Sequence, residues 1–402
     1  MSVRQIGYFD DGEFRAGTGR YLTEIIGALD RSRFQPVFFA PRRRAWHEDF
    51  DRLDVQMVYG AVPPSPAQRL TDDRSSSIRS RRKLQFPSSV SWTLGTLKDT
   101  LKLSRLFRKV PVHLLHSNNT GAEPAPIAAR LARVPKIVGT LHVLPSYDLE
   151  GVRGGIRYRL LEKASMQALD HVIACCDAAR RDWDVRCGLR SNRVTVIHNG
   201  IQVDRVSRRM PVVEARGLLG LPEEAVILAT IGNLHAYKGQ EHLIRAMPAI
   251  VAQCPMALAV IAGTGPAECE LKRLAEELRV DHKVRFLGFC SEIGTLLDSA
   301  DIYVQPSLVE AFPIAILEAA AAGLAIVATA VGGVPEAIEE GVTGLLVPPR
   351  DAPALARAIG SLASCPERRR ALGDGAQTRV NALFTTQKML GKTTDLYESL
   401  LS

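Results

Sequence analysis

The sequence predicts an α/β protein made of two Rossmann-like, doubly wound halves that face each other across a cleft. Short apolar runs of strand length alternate with longer patterns of helical period, the order of a mostly parallel sheet with helices on its faces. The chain of 402 residues is too long for one ordinary hydrophobic core. A turn-prone Asn199-Gly200 and a linker-like IQVDRVSRRMPVVEARGLLGLPEE separate two such alternating series. In folds of this kind the ligand lies outside the carboxyl ends of the strands.

The first domain is expected over 1–200, as the acceptor-binding half. Strands are predicted at 5–9, 36–39, 55–58, 112–116, 137–141, 171–174 and 194–198, and helices at 20–29, 124–133, 156–169 and 178–186. A polar turn around Gly12, Gly17 and Gly19 follows the first strand, where a backbone could approach a phosphate. Residues 61–91, with PPSP and DDRSSSIRSRRK, cannot bury a face and read as a mobile loop. Next, Leu94, Leu97, Leu101, Leu103, Phe107 and Val110 recur at helical spacing, with Lys98, Lys102, Arg105 and Lys109 on another side. This is a basic amphipathic helix over about 92–110.

The second domain is expected over 201–384, as the nucleotide-binding half. Its strands fall at 226–231, 257–262, 284–287, 302–304, 325–329 and 345–347, and its helices at 240–251, 268–278, from about 313, and at 352–361 and 367–380. A last helix closes the chain over 385–402, with a return to the first domain left open.

Composition limits the function classes. Hydrophobic residues make up 46% and charged residues 23%, which excludes a disordered chain and a bundle of membrane spans. Seven cysteines without a Cys-x-x-Cys pair give neither a disulfide framework nor a zinc site. The start, MSVRQIGYFDDGEF, turns acidic before any long apolar stretch, so the expected place is the cytoplasm, with the inner face of the cell membrane as an option. Residues 1–200 carry 32 Lys and Arg against 20 Asp and Glu, a balance of +12, whereas 201–402 carry 19 against 23, a balance of −4. The basic half suits an anionic membrane surface, an anionic glycan or a phosphorylated small molecule. No helix-turn-helix, zinc-finger or RNP signature supports nucleic acid.

The chemistry concentrates in the second half. In TIGNLHAYKG, Gly232 and Asn233 follow a strand and Lys238 precedes a helix, so the lysine can offset a pyrophosphate's charge while amides donate to its oxygens. A second strand-end loop contains Gly263 and Gly265. It is no Walker loop, since Gly-Lys-Ser/Thr is absent. In PSLVEAFPIAILEAAAAG, Glu310 lies in a loop and Glu318 within a helix beginning near Pro313. The amides of Ile314 and Ala315 at its start are free to donate to phosphate. His142 ends a strand; His113, His116 and His198 lack metal-ligand spacing, and no Asp-x-Asp pair suggests a bound divalent ion. Cys175 and Cys176 read as buried thiols, and no Gly-x-Ser-x-Gly elbow is present.

The glutamate pair in Glu310-x-Phe312-Pro313 through Glu318, followed by TAVGGVPEAI and GVTGLLVP, closely resembles the GT4 family of retaining glycosyltransferases with the GT-B fold. The resemblance is specific over about 226–349 and looser before it. It implies that Glu318 binds the donor ribose, that Glu310 lies near the transferred sugar and its leaving phosphate, and that Lys238 neutralises the diphosphate. It also implies that Gly17 admits the donor diphosphate and acceptor and that His142 orients the sugar. Where the family usually has an arginine close to Gly232, this chain has Asn233 and then His235; where many relatives have glycine before Phe312, it has Ala311.

The expected function is metal-independent, retaining transfer of a hexosyl residue from a UDP- or GDP-sugar to a hydroxyl of a glycan, lipid-linked or small-molecule acceptor, in cell-surface polysaccharide biosynthesis. No cofactor is expected beyond the nucleotide diphosphate sugar, which is a substrate. A nucleotide sugar epimerase or a sugar phosphorylase of the same fold is the alternative, and a nucleic-acid-binding protein ranks below both.

Overall fold

The computed structural model describes residues 3–10, 17–44, 47–60, 89–118, 123–145, 156–207, 210–290 and 292–402. The chain divides into two compact units, Met1–His198 with Met389–Ser402, and Asn199–Lys388.

The first unit is built on β1 (Arg4–Phe9), β2 (Phe34–Ala40), β3 (Gln56–Tyr59), β4 (Leu114–Ser117), β5 (Lys136–Leu141), β6 (His171–Ala174) and β7 (Val194–Val196), in the order β3-β2-β1-β4-β5-β6-β7. The second contains β8 (Val226–Ile231), β9 (Ala257–Ala262), β10 (Val284–Gly288), β11 (Ile302–Gln305), β12 (Ala325–Thr329) and β13 (Leu345–Val347), in the order β10-β9-β8-β11-β12-β13. All recorded strand pairs are parallel. Each strand falls within two residues of its expected place. Helices cover both faces of a parallel sheet, so strands such as VILATI and ALAVIA are apolar almost throughout. Strand order reverses between β1 and β4 and again between β8 and β11, which opens a crevice at the carboxyl ends of each pair.

Some expectations change. Residues 61–88 of the expected loop lie outside the described residues, and 89–91 already belong to the helix Ser89–Lys109. The linker-like stretch contains two helices, Val203–Val206 and Val212–Leu219. In the second, Arg216 is buried, donating from Nε to the Ser299 carbonyl (3.1 Å) and from Nη2 to Asp301 Oδ2 (2.7 Å). An inward arginine hides this helix from any hydropathy pattern. The basic helix is also rotated from its expected setting. Leu103, Leu106 and Phe107 pack inward with Thr96, Asp99 and Thr100, while Leu97 and Leu101 lie outside beside Lys98 and Lys102. At 3.6 residues per turn, Leu97 and Leu101 align with the lysines rather than with Leu103 and Phe107. The side chain of Leu94 lies outside the described ones.

Cys175 and Cys176 are both buried. Cys176 caps the helix Asp177–Cys187, its Sγ accepting from the Ala179 amide at 3.3 Å, the duty usually given to serine.

A buried polar network ties the helix Thr386–Leu401 to the first sheet. His116 on β4 bonds through Nδ1 to the Tyr397 hydroxyl and through Nε2 to Thr140 Oγ1 (2.5 Å), and Tyr21 reaches the same Thr140 oxygen at 3.3 Å. Burial, reinforced by neighbouring His142, depresses the His116 pKa from 6.5 to about 3. The unfolded chain takes up this proton below about 6.5 and the folded one only near 3, so the stability it contributes is complete above 6.5 and falls as the pH drops between these values. Urea unfolding between pH 7.5 and 4.5 should show this loss. His116→Gln should be less stable at pH 7.5 yet lose less on acidification; an undiminished acid slope contradicts the assignment.

Candidate functional site

The second unit gathers most of the expected residues at the carboxyl ends of β8, β9 and β11. Gly232 follows β8, and its amide donates to the Ala262 carbonyl at 3.0 Å. Gly263 follows β9 at φ +138°, and a Cβ there would stand 2.0 Å from the Gly232 carbonyl oxygen. Only glycine lets these loops meet. Gly265 is pressed equally against the Leu234 backbone. Gly239, at φ +65°, ends the short turn Ala236–Lys238, and its Cβ would stand 2.0 Å from the Pro306 carbonyl oxygen. The loop bearing Lys238 therefore lies directly on the loop bearing Glu310, and Leu308 donates to the Tyr237 carbonyl at 2.8 Å.

Lys238 and Glu310 form the charged centre. Nζ donates to Oε1 at 2.7 Å, and the ammonium lies 5.4 Å from the Tyr237 ring centre. Burial pushes the Lys238 pKa down, but Glu310, Tyr237 and the hydrogen bond outweigh it, and the net shift is upward. The lysine stays charged across the neutral range. Glu310 Oε1 also accepts from Gln305 Nε2 (2.9 Å) and Ser307 Oγ (2.7 Å). Gln305 in turn accepts from the Tyr303 hydroxyl at 2.6 Å. These bonds fall on one carboxylate oxygen, which leaves Oε2 for a ligand, and Lys238 has two further N–H donors. Burial, then Glu310, then Glu318 raise the Tyr303 pKa well above 10.0, so its hydroxyl remains a neutral donor close to both glutamates.

Glu318 lies buried in the helix Ile314–Ala321. Pro313 stands at the N-cap without a side-chain cap, one place earlier than the first-turn position read from the sequence. The first amides, from Ile314 and Ala315, have no partner within the helix and suit an anion. Asn199 steadies this entry by donating to the Phe312 carbonyl at 3.1 Å, and the Phe312 ring packs edge-on against Phe384. Sequence reasoning missed Gln305, Ser307 and Asn199 as site residues. A buried amide at the end of an apolar strand was the available signal for Gln305.

Among the described residues no group of three or more His, Cys, Asp and Glu side chains is placed to hold a metal ion.

His142 and Gly17 belong to the first unit. Gly17 opens the helix Gly17–Gly27. His142 follows β5, with Nε2 2.8 Å from Asn118 Oδ1, while Asn118 Nδ2 donates to Asp10 Oδ2 at 2.6 Å. The carboxylate fixes the amide's orientation, so its oxygen faces the imidazole and His142 carries its proton on Nε2. Burial holds His142 neutral down to about pH 3. Its Nδ1 is thus a hydrogen-bond acceptor suited to a hydroxyl, and the ring is no general acid at neutral pH.

Two family models cover most of the chain: "Glycosyltransferase Family 4" matches residues 15–205 and "Glycosyl transferases group 1" matches 214–379. The glycogen synthase of Mycobacterium tuberculosis is 31% identical over 320 residues, which cover 77% of this chain and 75% of that enzyme. The chain belongs to the family 4 glycosyltransferases. The D-inositol 3-phosphate glycosyltransferase of Corynebacterium urealyticum is 30% identical over 253 residues, 60% of this chain and 59% of that enzyme, so the match spans less than two thirds of that relative. HepE of Anabaena, solved with UDP and glucose, has the same fold, with a TM-score of 0.79, 21% identity and coverage of 98% and 100% of the two chains.

Asn118 sets the orientation of the His142 ring, so if His142 serves turnover the two side chains act as one unit. Removing a buried hydrogen bond costs about 1–3 kcal/mol, which is about fivefold to 150-fold if it falls wholly on turnover. His142→Ala and Asn118→Ala should each lower kcat by about that amount, and the double variant should be no worse than His142→Ala. Additive losses contradict the coupling.

Proposed function

We propose that this glycosyltransferase moves a hexosyl residue from a nucleotide diphosphate sugar to a hydroxyl-bearing acceptor with retention at the anomeric carbon. The observation that carries the reading is the charged Lys238 beside an uncapped helix start and two buried glutamates at one strand-order reversal. The donor diphosphate lies on Lys238 and the amides of Ile314 and Ala315, with the loop at Gly232, Asn233, Gly263 and Gly265 admitting its backbone approach; Gly17 has the role of admitting the diphosphate and the acceptor. Phe312 holds the turn into the helix. Glu318 accepts from the ribose hydroxyls, and Glu310 Oε2 from the sugar. His142 Nδ1 accepts from a sugar hydroxyl and fixes the ring. HepE is solved with UDP and with UDP-glucose, so a UDP-sugar is the first donor to test, ahead of a GDP-sugar.

The bond from the anomeric carbon to the diphosphate oxygen breaks as the acceptor oxygen bonds on the same face. The departing phosphate takes the acceptor's proton. Lys238 and the helix amides stabilise the developing charge, a term of about 2.7–4 kcal/mol for one oxyanion donor in other enzymes. With that charge met by protein groups, no divalent ion enters the scheme. The acceptor is a glycan, a lipid-linked sugar or a small molecule, and surface polysaccharide assembly is the setting the basic first half suits.

Glu318→Gln leaves the helix intact but exchanges an acceptor for an amide. Its UDP affinity, by calorimetry, should fall at least about tenfold, in line with loss of a charged hydrogen bond. Wild-type affinity contradicts the ribose assignment. Anomeric proton signals of the product test retention, and undiminished turnover in EDTA tests metal independence.

A further inference from the structure

On one face of the first sheet, the helices Ser89–Lys109 and Ile156–Ala168 both pack against the helix Ala125–Leu131. Their outer faces share an unusual composition. The first exposes Lys98, Lys102, Arg105, Arg108 and Lys109 with Leu97 (53% exposed) and Leu101 (45%) between them. The second exposes Arg159 and Lys163 with Ile156 (75%) and Leu160 (62%). Each helix contains a single acid, Asp99 in one and Glu162 in the other, and both are buried. Glu162 is neutralised internally by Arg186, whose Nε donates to it at 2.8 Å. Lys98, Lys102, Arg105, Lys109, Arg159 and Lys163 form no ion pair among the described residues.

We infer that this two-helix face docks on an anionic phospholipid bilayer. The cations supply attraction to lipid headgroups, worth about 1 kcal/mol each near a charged surface, and the interleaved Leu and Ile side chains reach the acyl boundary. Three alternatives fit less well. A second copy would oppose cations with cations. Nucleic acid stacks its bases on aromatic rings, whereas the exposed apolar side chains described on this face are aliphatic. A spanning mode is unavailable to these helices, since no described helix is long and apolar enough to cross a membrane. Helices of a parallel α/β sheet run against the strands. Ile156 and Leu160, in the first turns of their helix, therefore lie toward the carboxyl ends from which His142 emerges. The docked face brings that end of the sheet near the lipid surface, which would serve an acceptor carried there. The inference itself does not depend on glycosyl transfer.

Co-sedimentation of the full chain with vesicles of equal parts phosphatidylglycerol and phosphatidylcholine, against pure phosphatidylcholine, tests this. The wild type should partition to the anionic vesicles only and be released by salt. Lys98→Glu with Lys102→Glu should lower partitioning at least about tenfold, and Leu97→Ser with Leu101→Ser, or Ile156→Ser with Leu160→Ser, severalfold. UDP affinity and circular dichroism should be unchanged in all three, since these residues lie outside the donor site. Absence of wild-type binding, equal binding to neutral vesicles, or unchanged partitioning in the charge variant overturns the inference. So does retention on a soluble polyanion such as polyphosphate without vesicle binding.

Discussion

Everything in this protein hangs on the requirement that a parallel sheet be covered on both faces. Parallel strands cannot be joined by tight turns, so each connection must climb over the sheet as a helix and return to the same end. The loops therefore gather at the carboxyl edge, and where strand order reverses they must diverge. In the second unit the connections that leave the paired strands β8 and β11 diverge, with Gly232, Lys238 and the Pro306 to Pro313 stretch at that edge. The close contacts of Gly239 with Pro306 and of Gly263 with Gly232 show how tightly the edge is drawn together.

At that edge, electrostatics decides what can bind. A buried carboxylate and a half-buried ammonium each bear a desolvation cost, and mutual contact with further hydrogen bonds offsets it. Lys238 and Glu310 satisfy each other, while Gln305 and Ser307 complete the carboxylate's shell on one oxygen. The arrangement keeps both groups in place before a ligand arrives, so the diphosphate proposed for this site would bind with little reorganisation. The missing family arginine near Gly232 makes this lysine the principal fixed cation of the loop.

The first unit solves a different problem. Its polar centre, with His116, Tyr397, Thr140 and Tyr21, is fully enclosed and holds the last helix on the sheet, while Asp10, Asn118 and His142 form a shorter relay at the strand ends. Both depend on imidazoles kept neutral by burial. On the opposite side of this sheet the two basic helices turn their acids inward and their cations outward. The excess charge of the first half is thus concentrated, at least in part, on one surface.

The sequence by itself determined the α/β class, every strand to within two residues, and which glycines, lysine and glutamate lie in the loops at the carboxyl edge of the second sheet. Apolar runs of strand length and glycines at strand ends are local patterns, and they survive without tertiary context. It could not reveal the helix Val212–Leu219, whose buried side is an arginine, nor the true orientation of the basic helix, because which stripe faces the sheet depends on the packing partner. Nor could it join Gln305 and Ser307 to Glu310, Asn199 to Phe312, or Asn118 to His142. Only the tertiary structure decided these, for a hydrogen bond between polar side chains carries no periodicity and exists only once the sheet has brought its strand ends together.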